Sequence, residues 1–250
     1  MRYRGLKLID RRDKCKYYEQ KISTEIFLFD ILTPMNINTS AERIMVFGDS
    51  LSWGYVPGSK HQRFAANVRW PGKLQQLLGD EYEVIEENLN SRGIEHGDPR
   101  PGKEGRRALD YIEPCLDSQD PLDHVLVLLG TNEMKHEMDQ SPEEIGLSME
   151  RLLRVIINRR SQFRDESPKV TLISPPMIND ETEYCQAGDK YLGATEKSKK
   201  LTAVYGQLAT QLDIGFVALN GILPGADGIH IDADEHSKVA ELVYRSLQVK

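Results

Sequence analysis

Cysteine is scarce in this 250-residue chain: Cys15, Cys115 and Cys185 stand far apart and never form a C-x-x-C pair. That number and spacing argue against a disulfide framework or a cysteine-built zinc site, and predict reduced thiols that are buried or partly buried. Long apolar runs are missing as well. No stretch approaches the roughly 18 residues of a membrane-spanning helix. The best leader candidate, Glu25–Thr33, has its apolar run Ile26–Phe29 cut by Asp30, with no small-x-small cleavage site close behind. A cytoplasmic protein with no membrane partner is expected. An excess of positive charge is lacking too: 32 Lys and Arg against 39 Asp and Glu give a formal net charge of −7. Nucleic acid, which requires a basic stripe to displace counterions, is therefore not an expected partner, although a small basic patch is compatible with this balance. There is no H-E-x-x-H motif and no carboxylate cluster, and His96 with Asp98 is too thin a pair to hold an ion. No metal and no cofactor are expected.

What is present suits one α/β domain with a sizeable core: 39% hydrophobic and 28% charged residues, without repeats or low-complexity segments. Residues 1–41 read as an N-terminal extension, basic at first with acidic residues interspersed and no clean periodicity. Met35 within it offers an alternative start. From residue 42 an alternation sets in. Apolar runs at 44–47, 124–129, 170–174 and 216–219, with EVIEENL at 83–89, read as strands, and His124–Leu129 lacks any polar alternation, the pattern of a strand buried on both faces. Between them lie helices opening at Trp70-Pro71-Gly72, around 106–116, after the capped start Ser141-Pro142-Glu143-Glu144, over 195–212, and after Asp232-x-x-Glu235. The helix after Ser141 carries Ile145, Met149, Leu152, Leu153, Ile156 and Ile157 as one core-facing stripe. Strands alternating with helices predict a three-layer α/β/α sandwich, its five-stranded parallel sheet in flavodoxin-like order 2-1-3-4-5. That order puts a switch point between the carboxyl ends of the first and third strands.

Three polar clusters fall at strand exits or in a late loop: Gly48-Asp49-Ser50, Gly130-Thr131-Asn132-Glu133 and Asp227-Gly228-Ile229-His230. Taken singly they read as helix caps and turns. Taken together they supply a hydroxyl, an amide donor and an Asp/His pair. A serine hydroxyl is a poor nucleophile unless a base lies within hydrogen-bond reach. Of the six histidines, only His230 combines a carboxylate three residues earlier, Asp227, with a glycine between the two that lets the loop fold back. Such a carboxylate fixes the imidazole tautomer and stabilises the imidazolium. Attack by Ser50 on a carbonyl carbon leaves an oxyanion on the carbonyl oxygen, which needs preorganised donors. The Ser50 N–H, the Asn132 side-chain amide and a backbone N–H near Asn90–Gly93 are the candidates.

In the blocks GDSLSWG, GTNE and DGIH, in that order, the chain resembles the SGNH (GDSL-type) hydrolase superfamily over about residues 42–250. The longer stretches GDSLSWGYVP, YEVIEENLNSR and PLDHVLVLLGTNEMK are similar to the bacterial arylesterase/acyltransferase branch. The resemblance implies Ser50 as nucleophile, His230 as general base and then acid, and Asp227 as its orienter. It implies an oxyanion hole of Ser50, Ser91 and Asn132, with Gly93 as a rival to Ser91, and substrate contacts from Asp49, Trp53 and Tyr55. It further implies a small-molecule ester substrate carrying a short acetyl or aryl-linked acyl group, no cofactor, and acyl transfer to alcohols in some relatives. Three departures stand out. Ser91 falls where most of the superfamily has glycine, Glu133 where aspartate is usual, and Tyr55 where the nearest relatives tend to have tryptophan. The 177–194 loop is shorter and more polar than theirs, which leaves homo-oligomerisation open. The alternatives on the same fold are a carbohydrate O-acetylesterase and a lysophospholipase or thioesterase. In a different class stands a non-catalytic α/β binding domain.

Overall fold

Five short strands pair into one parallel sheet, because helical segments between them carry the chain back to the starting edge. In the computed structural model, which describes residues 36–248, β1 is Glu42–Gly48, followed by the one-turn helix α1 (Ser50–Trp53), α2 (Trp70–Leu78) and β2 (Tyr82–Asn88). Then come α3 (Ala108–Ser118), β3 (His124–Leu128), α4 (Pro142–Asn158), β4 (Lys169–Ser174), α5 (Glu183–Gln186), α6 (Ala194–Leu212), β5 (Gly215–Ala218) and α7 (Ala233–Gln248). The strand order is β2-β1-β3-β4-β5, all parallel, as the alternation predicted. The expectations for the leader candidate, Cys15, Met35 and nearly all of the N-terminal extension fall outside the described residues.

Side chains alternate across a strand, and here the two faces feed two cores. Met45 and Phe47 of β1, with Val125 and Val127 of β3, join α3, α4 and α6 on one side. Ile44, Val46, Leu126 and Leu128 join α2 and α7 on the other. On α4 the expected cap is in place: the Ser141 hydroxyl accepts from the Glu144 N–H at 3.2 Å, and the Glu144 carboxylate accepts from the Ser141 N–H at 2.8 Å. Its stripe is buried from Ile145 to Ile156. The matching expectation for α7 is corrected. Glu235 turns its carboxylate away from the Asp232 N–H, toward the Leu223 N–H and the Lys238 ammonium, while Asp232 bonds the Ala233 N–H. Tertiary neighbours on the 221–224 turn outcompete the local cap. The two helices of the second layer are tied where the Trp70 N–H donates to His236 Nδ1 at 3.2 Å. Burial pushes this imidazole down to about 4, which keeps it neutral and able to accept.

Cys115 and Cys185 are free and buried. Among the described residues no helix is long and apolar enough to cross a membrane. What matters for function is the upper edge of the sheet. Gly48 of β1 is in register with Leu128 of β3, so the segment after each strand emerges at the same point, the predicted switch. After β3 the chain turns at Gly130 with φ +120°, where a Cβ would lie 2.6 Å from Tyr205 Oη. Only glycine satisfies both demands.

Candidate active site

The three polar clusters meet above the switch point. β1 stops at Gly48, and Asp49 caps α1 by accepting from the Leu51 N–H at 2.9 Å. Ser50 therefore opens a helical turn at the rim of the sheet. His230, 180 residues later, lies with Nε2 3.0 Å from Ser50 Oγ and Nδ1 2.7 Å from Asp227 Oδ2. The Asp227 carboxylate also accepts from the backbone N–H groups of Ile229 (3.0 Å), His230 (2.9 Å) and Gly58 (3.1 Å). Burial alone would raise its pKa, but the hydrogen bonds and charge of His230, with those backbone donors, prevail and bring it down to about 2. An ionised Asp227 can only accept, so the imidazole proton sits on Nδ1 and leaves Nε2 to accept from the Ser50 hydroxyl.

This turn is held from outside. Gly228 has φ +77° and a Cβ there would sit 2.1 Å from the Asn179 carbonyl oxygen. The Thr182 hydroxyl and the Cys185 thiol both donate to the Asp227 carbonyl, at 2.9 and 3.3 Å. The polar 177–194 segment thus contains α5 and clamps the acid of the site. On the other side the Tyr55 ring stacks on the His230 imidazole, with centroids 4.3 Å apart and planes 28° apart. The Tyr55 hydroxyl is anchored on the Ser59 carbonyl at 2.8 Å.

Donors surround the hydroxyl. Ser50 and Ser91 both line the cleft, and neither backbone N–H donates to another group among the described residues. The Gly93 N–H is already committed to the Arg106 carbonyl at 2.9 Å. Ser91 adopts φ +64°, a left-handed conformation at which glycine is at ease and serine is strained. The Asn132 amide nitrogen donates to the Arg92 carbonyl at 3.0 Å and, at a longer 3.3 Å, to Asp49 Oδ2. Asp49 itself is fully buried, and burial raises its carboxyl to about 6.

An open cleft of about 450 Å³ lies over these groups. Of the three residues expected to touch substrate, Tyr55 lines it, whereas Asp49 and Trp53 do not. Asp49 lies beneath the site as a support for Asn132 and the Leu51 N–H. Trp53 turns outward under the Arg63 guanidinium, 4.8 Å from its ring centroid. No group of three or more His, Cys, Asp or Glu gathers as metal ligands among the described residues. Sequence reasoning missed the Gly58 and Thr182 supports, which are a backbone N–H and a loop hydroxyl with no local signature. It also missed Arg92, fully buried with its guanidinium 4.1 Å from the Phe47 ring centroid and bonded to the Gly48 carbonyl at 3.0 Å.

Glu133 is a further buried acid. One carboxylate oxygen accepts from the Ile94 N–H and the other has no partner among the described residues. Burial raises its carboxyl from the ordinary 4.5 to about 7. The native state thus binds this proton more tightly than the unfolded chain, and stability falls as pH rises from about 4.5 through 7. Glu133→Gln removes the titration. Its stability relative to wild type is expected to rise across that window by about 2–3 kcal/mol, since each tenfold difference in proton affinity between the two states is worth about 1.4 kcal/mol, and to level off above it. Urea melts at pH 5 and pH 8.5 measure this, and a difference independent of pH rejects it.

Comparisons with known proteins agree with the fold. The model of the GDSL-like lipase/acylhydrolase family matches residues 46–237, well over half the chain. An aryl esterase from M. smegmatis is 33% identical with a TM-score of 0.76, covering 83% of this chain and 99% of its own. A carbohydrate acetylesterase from Sinorhizobium meliloti is 29% identical, also at a TM-score of 0.76, covering 82% of this chain and 98% of its own. No curated protein is a significant match to the sequence. The chain belongs to the GDSL-like lipase/acylhydrolase family, has the SGNH hydrolase fold, and is a carboxylic ester hydrolase.

Proposed function

We propose that the protein is a serine esterase of short-chain acyl esters, acting through an acyl-enzyme on Ser50. The single observation that carries this reading is the chain of contacts Asp227 Oδ2 to His230 Nδ1 (2.7 Å) and His230 Nε2 to Ser50 Oγ (3.0 Å). Ser50 Oγ attacks the ester carbonyl carbon while His230 Nε2 takes its proton, and Asp227 stabilises the imidazolium. The oxyanion is met by the uncommitted N–H groups of Ser50 and Ser91 and by the Asn132 amide, whose longer bond to Asp49 is the one it can share. Collapse expels the alcohol with the proton from His230. Water then repeats the sequence on the acyl-enzyme and releases the acid. An alcohol in place of water would give acyl transfer.

A second reading, O-acetyl removal from a carbohydrate, is favoured by the likeness to the Sinorhizobium meliloti carbohydrate acetylesterase. Polar side chains in the lining of the open cleft, among them Asn90, Ser91 and Asn132, suit a hydroxyl-rich alcohol. Both readings share the acetyl group and the same serine.

The test is a series of p-nitrophenyl esters from acetate to octanoate, together with intact-mass analysis after a fluorophosphonate. Acetate is expected to be the best or nearly the best, with kcat/KM at least about tenfold lower at octanoate; a loss of that size corresponds to about 1.4 kcal/mol. One equivalent of label is expected, on Ser50. A maximum at octanoate would favour a lipid or long-acyl thioester substrate. Absence of label on Ser50 would remove the covalent mechanism.

A further inference from the structure

The cleft and the chain differ in charge. The protein carries a formal net charge of −7, yet the cleft lining includes Arg100, Lys103, Lys135 and Lys190 against Asp98, Glu137 and Glu133. Glu133 is drawn toward its neutral form by burial. Most of the other groups are already engaged. Arg100 clasps Asp98 and reaches Ser91 Oγ at 3.1 Å. The Lys190 ammonium donates to Tyr184 Oη and lies 4.1 Å from that ring's centroid.

Lys135 is different. The residue is only 8% exposed, so more than nine-tenths of it is buried. It lines the same cleft as Ser50 and His230. Among the described residues its ammonium makes no hydrogen bond and no ion pair, and Asp98 and Glu137 act on it only through space. Burial pushes the ammonium below the usual lysine range. The ammonium nitrogen is not among the fully buried atoms that lack a partner, so the stem packs while the head meets the water of the cleft, free to take an anion. Lys135 belongs to the turn that carries Asn132, its N–H donating to the Asn132 carbonyl at 3.4 Å. The unpaired charge is therefore carried by the same turn as Asn132 and faces the same cleft as Ser50.

We propose that the preferred ester carries an anionic group, a carboxylate or a phosphate, on its alcohol portion, and that Lys135 is the residue that binds it. This rests on the esterase reading above. Lys103, half-buried at the same cleft and likewise unpaired among the described residues, adds to the attraction at longer range.

The experiment compares kcat/KM for three acetates that share a leaving group of similar size: 4-acetoxybenzoate, 4-acetoxyphenyl phosphate and the neutral methyl 4-acetoxybenzoate. Wild type is expected to favour at least one anion over the neutral ester by about 10–100-fold, the range of a charge-assisted hydrogen bond, with the gain mainly in KM. Which arm is favoured separates an acidic sugar or other carboxylate from a phosphorylated alcohol. In Lys135→Met the ratio of anionic to neutral kcat/KM is expected to fall about tenfold or more, and Lys135→Arg to retain much of it. In wild type the ratio should shrink as NaCl is raised. A wild-type ratio at or below one for both anions overturns the proposal, as does a ratio unchanged in Lys135→Met. If Lys135→Met fails to fold, the wild-type ratios, their salt dependence and Lys135→Arg still decide. Failure of wild type on all three acetates would instead defeat the esterase reading itself.

Discussion

Replacing Ser50 by alanine is expected to lower p-nitrophenyl acetate hydrolysis by about 10⁴–10⁶-fold, the range seen when the nucleophile of a serine hydrolase is removed. The size follows from what remains. His230 Nε2 would face a methyl group and could activate only water, held at no fixed distance from the carbonyl carbon. The Ser50 and Ser91 N–H groups and Asn132 would still stabilise an oxyanion, which accounts for a small residual rate. The fold has little to lose. Among the described residues the Ser50 hydroxyl hydrogen-bonds only with His230, while the Ser50 carbonyl keeps its bonds from the Gly54 and Tyr55 N–H groups. Stability is therefore expected to change by no more than about 1 kcal/mol, within the usual range for a change that opens no large cavity. Rates and melting curves on the same preparation check both parts. A Ser50→Ala enzyme within tenfold of wild type would end the nucleophile assignment.

The sheet was legible because each strand announces itself locally. HVLVL and IMVF have no polar alternation, and both are buried on two faces between helices. The helix at Trp70-Pro71 and the capped helix at Ser141 begin where the residues say, since a first-turn proline and a capping box act within four residues. The helix expected around 106–116 runs instead from Ala108 to Ser118 and passes through Pro114. Tertiary packing of Ile112, Cys115 and Leu116 overrides the local penalty there. The candidate site residues Ser50, Asp227 and His230, which the fold brings together, stood out in the sequence for a similar reason: each lies in a short block whose order along the chain is distinctive. Their supports did not. The Gly58 N–H reaches Asp227 across 169 residues, and a backbone amide leaves no mark in a sequence. Asp49 has the look of a substrate contact in the sequence but is buried beneath the site, because the cap it forms on α1 turns its carboxylate inward. Lys135 reads as one more surface lysine until the cleft around it is seen. Local chemistry is written in the chain, while burial and long-range partners exist only after folding.

Replacing Asp227 by asparagine is expected to lower kcat by about 10³–10⁴-fold with little change in the fold, by the logic of the triad aspartate. Asp227 is surrounded by donors alone: His230 Nδ1 and the N–H groups of Gly58, Ile229 and His230. A carboxylate accepts from all four, and with its pKa held at about 2 it stays ionised over the whole working range. An asparagine has one oxygen and one NH₂ group. If the NH₂ faces Nδ1, the imidazole must carry its proton on Nε2, where it can no longer accept from Ser50. If the oxygen faces Nδ1, the NH₂ meets the Ile229 and His230 N–H groups head-on, donor against donor, and the turn that aims the imidazole is disturbed. Either orientation deprives the base of its function, and in neither is there a negative charge to stabilise the imidazolium. The deficit should persist from pH 5 to 9, because no titration gives an asparagine at position 227 a negative charge or a second acceptor oxygen. Steady-state rates across that range, with circular dichroism to monitor folding, measure the effect. A folded Asp227→Asn enzyme retaining a tenth or more of the wild-type kcat would mean that the tautomer of His230 is fixed by something other than Asp227.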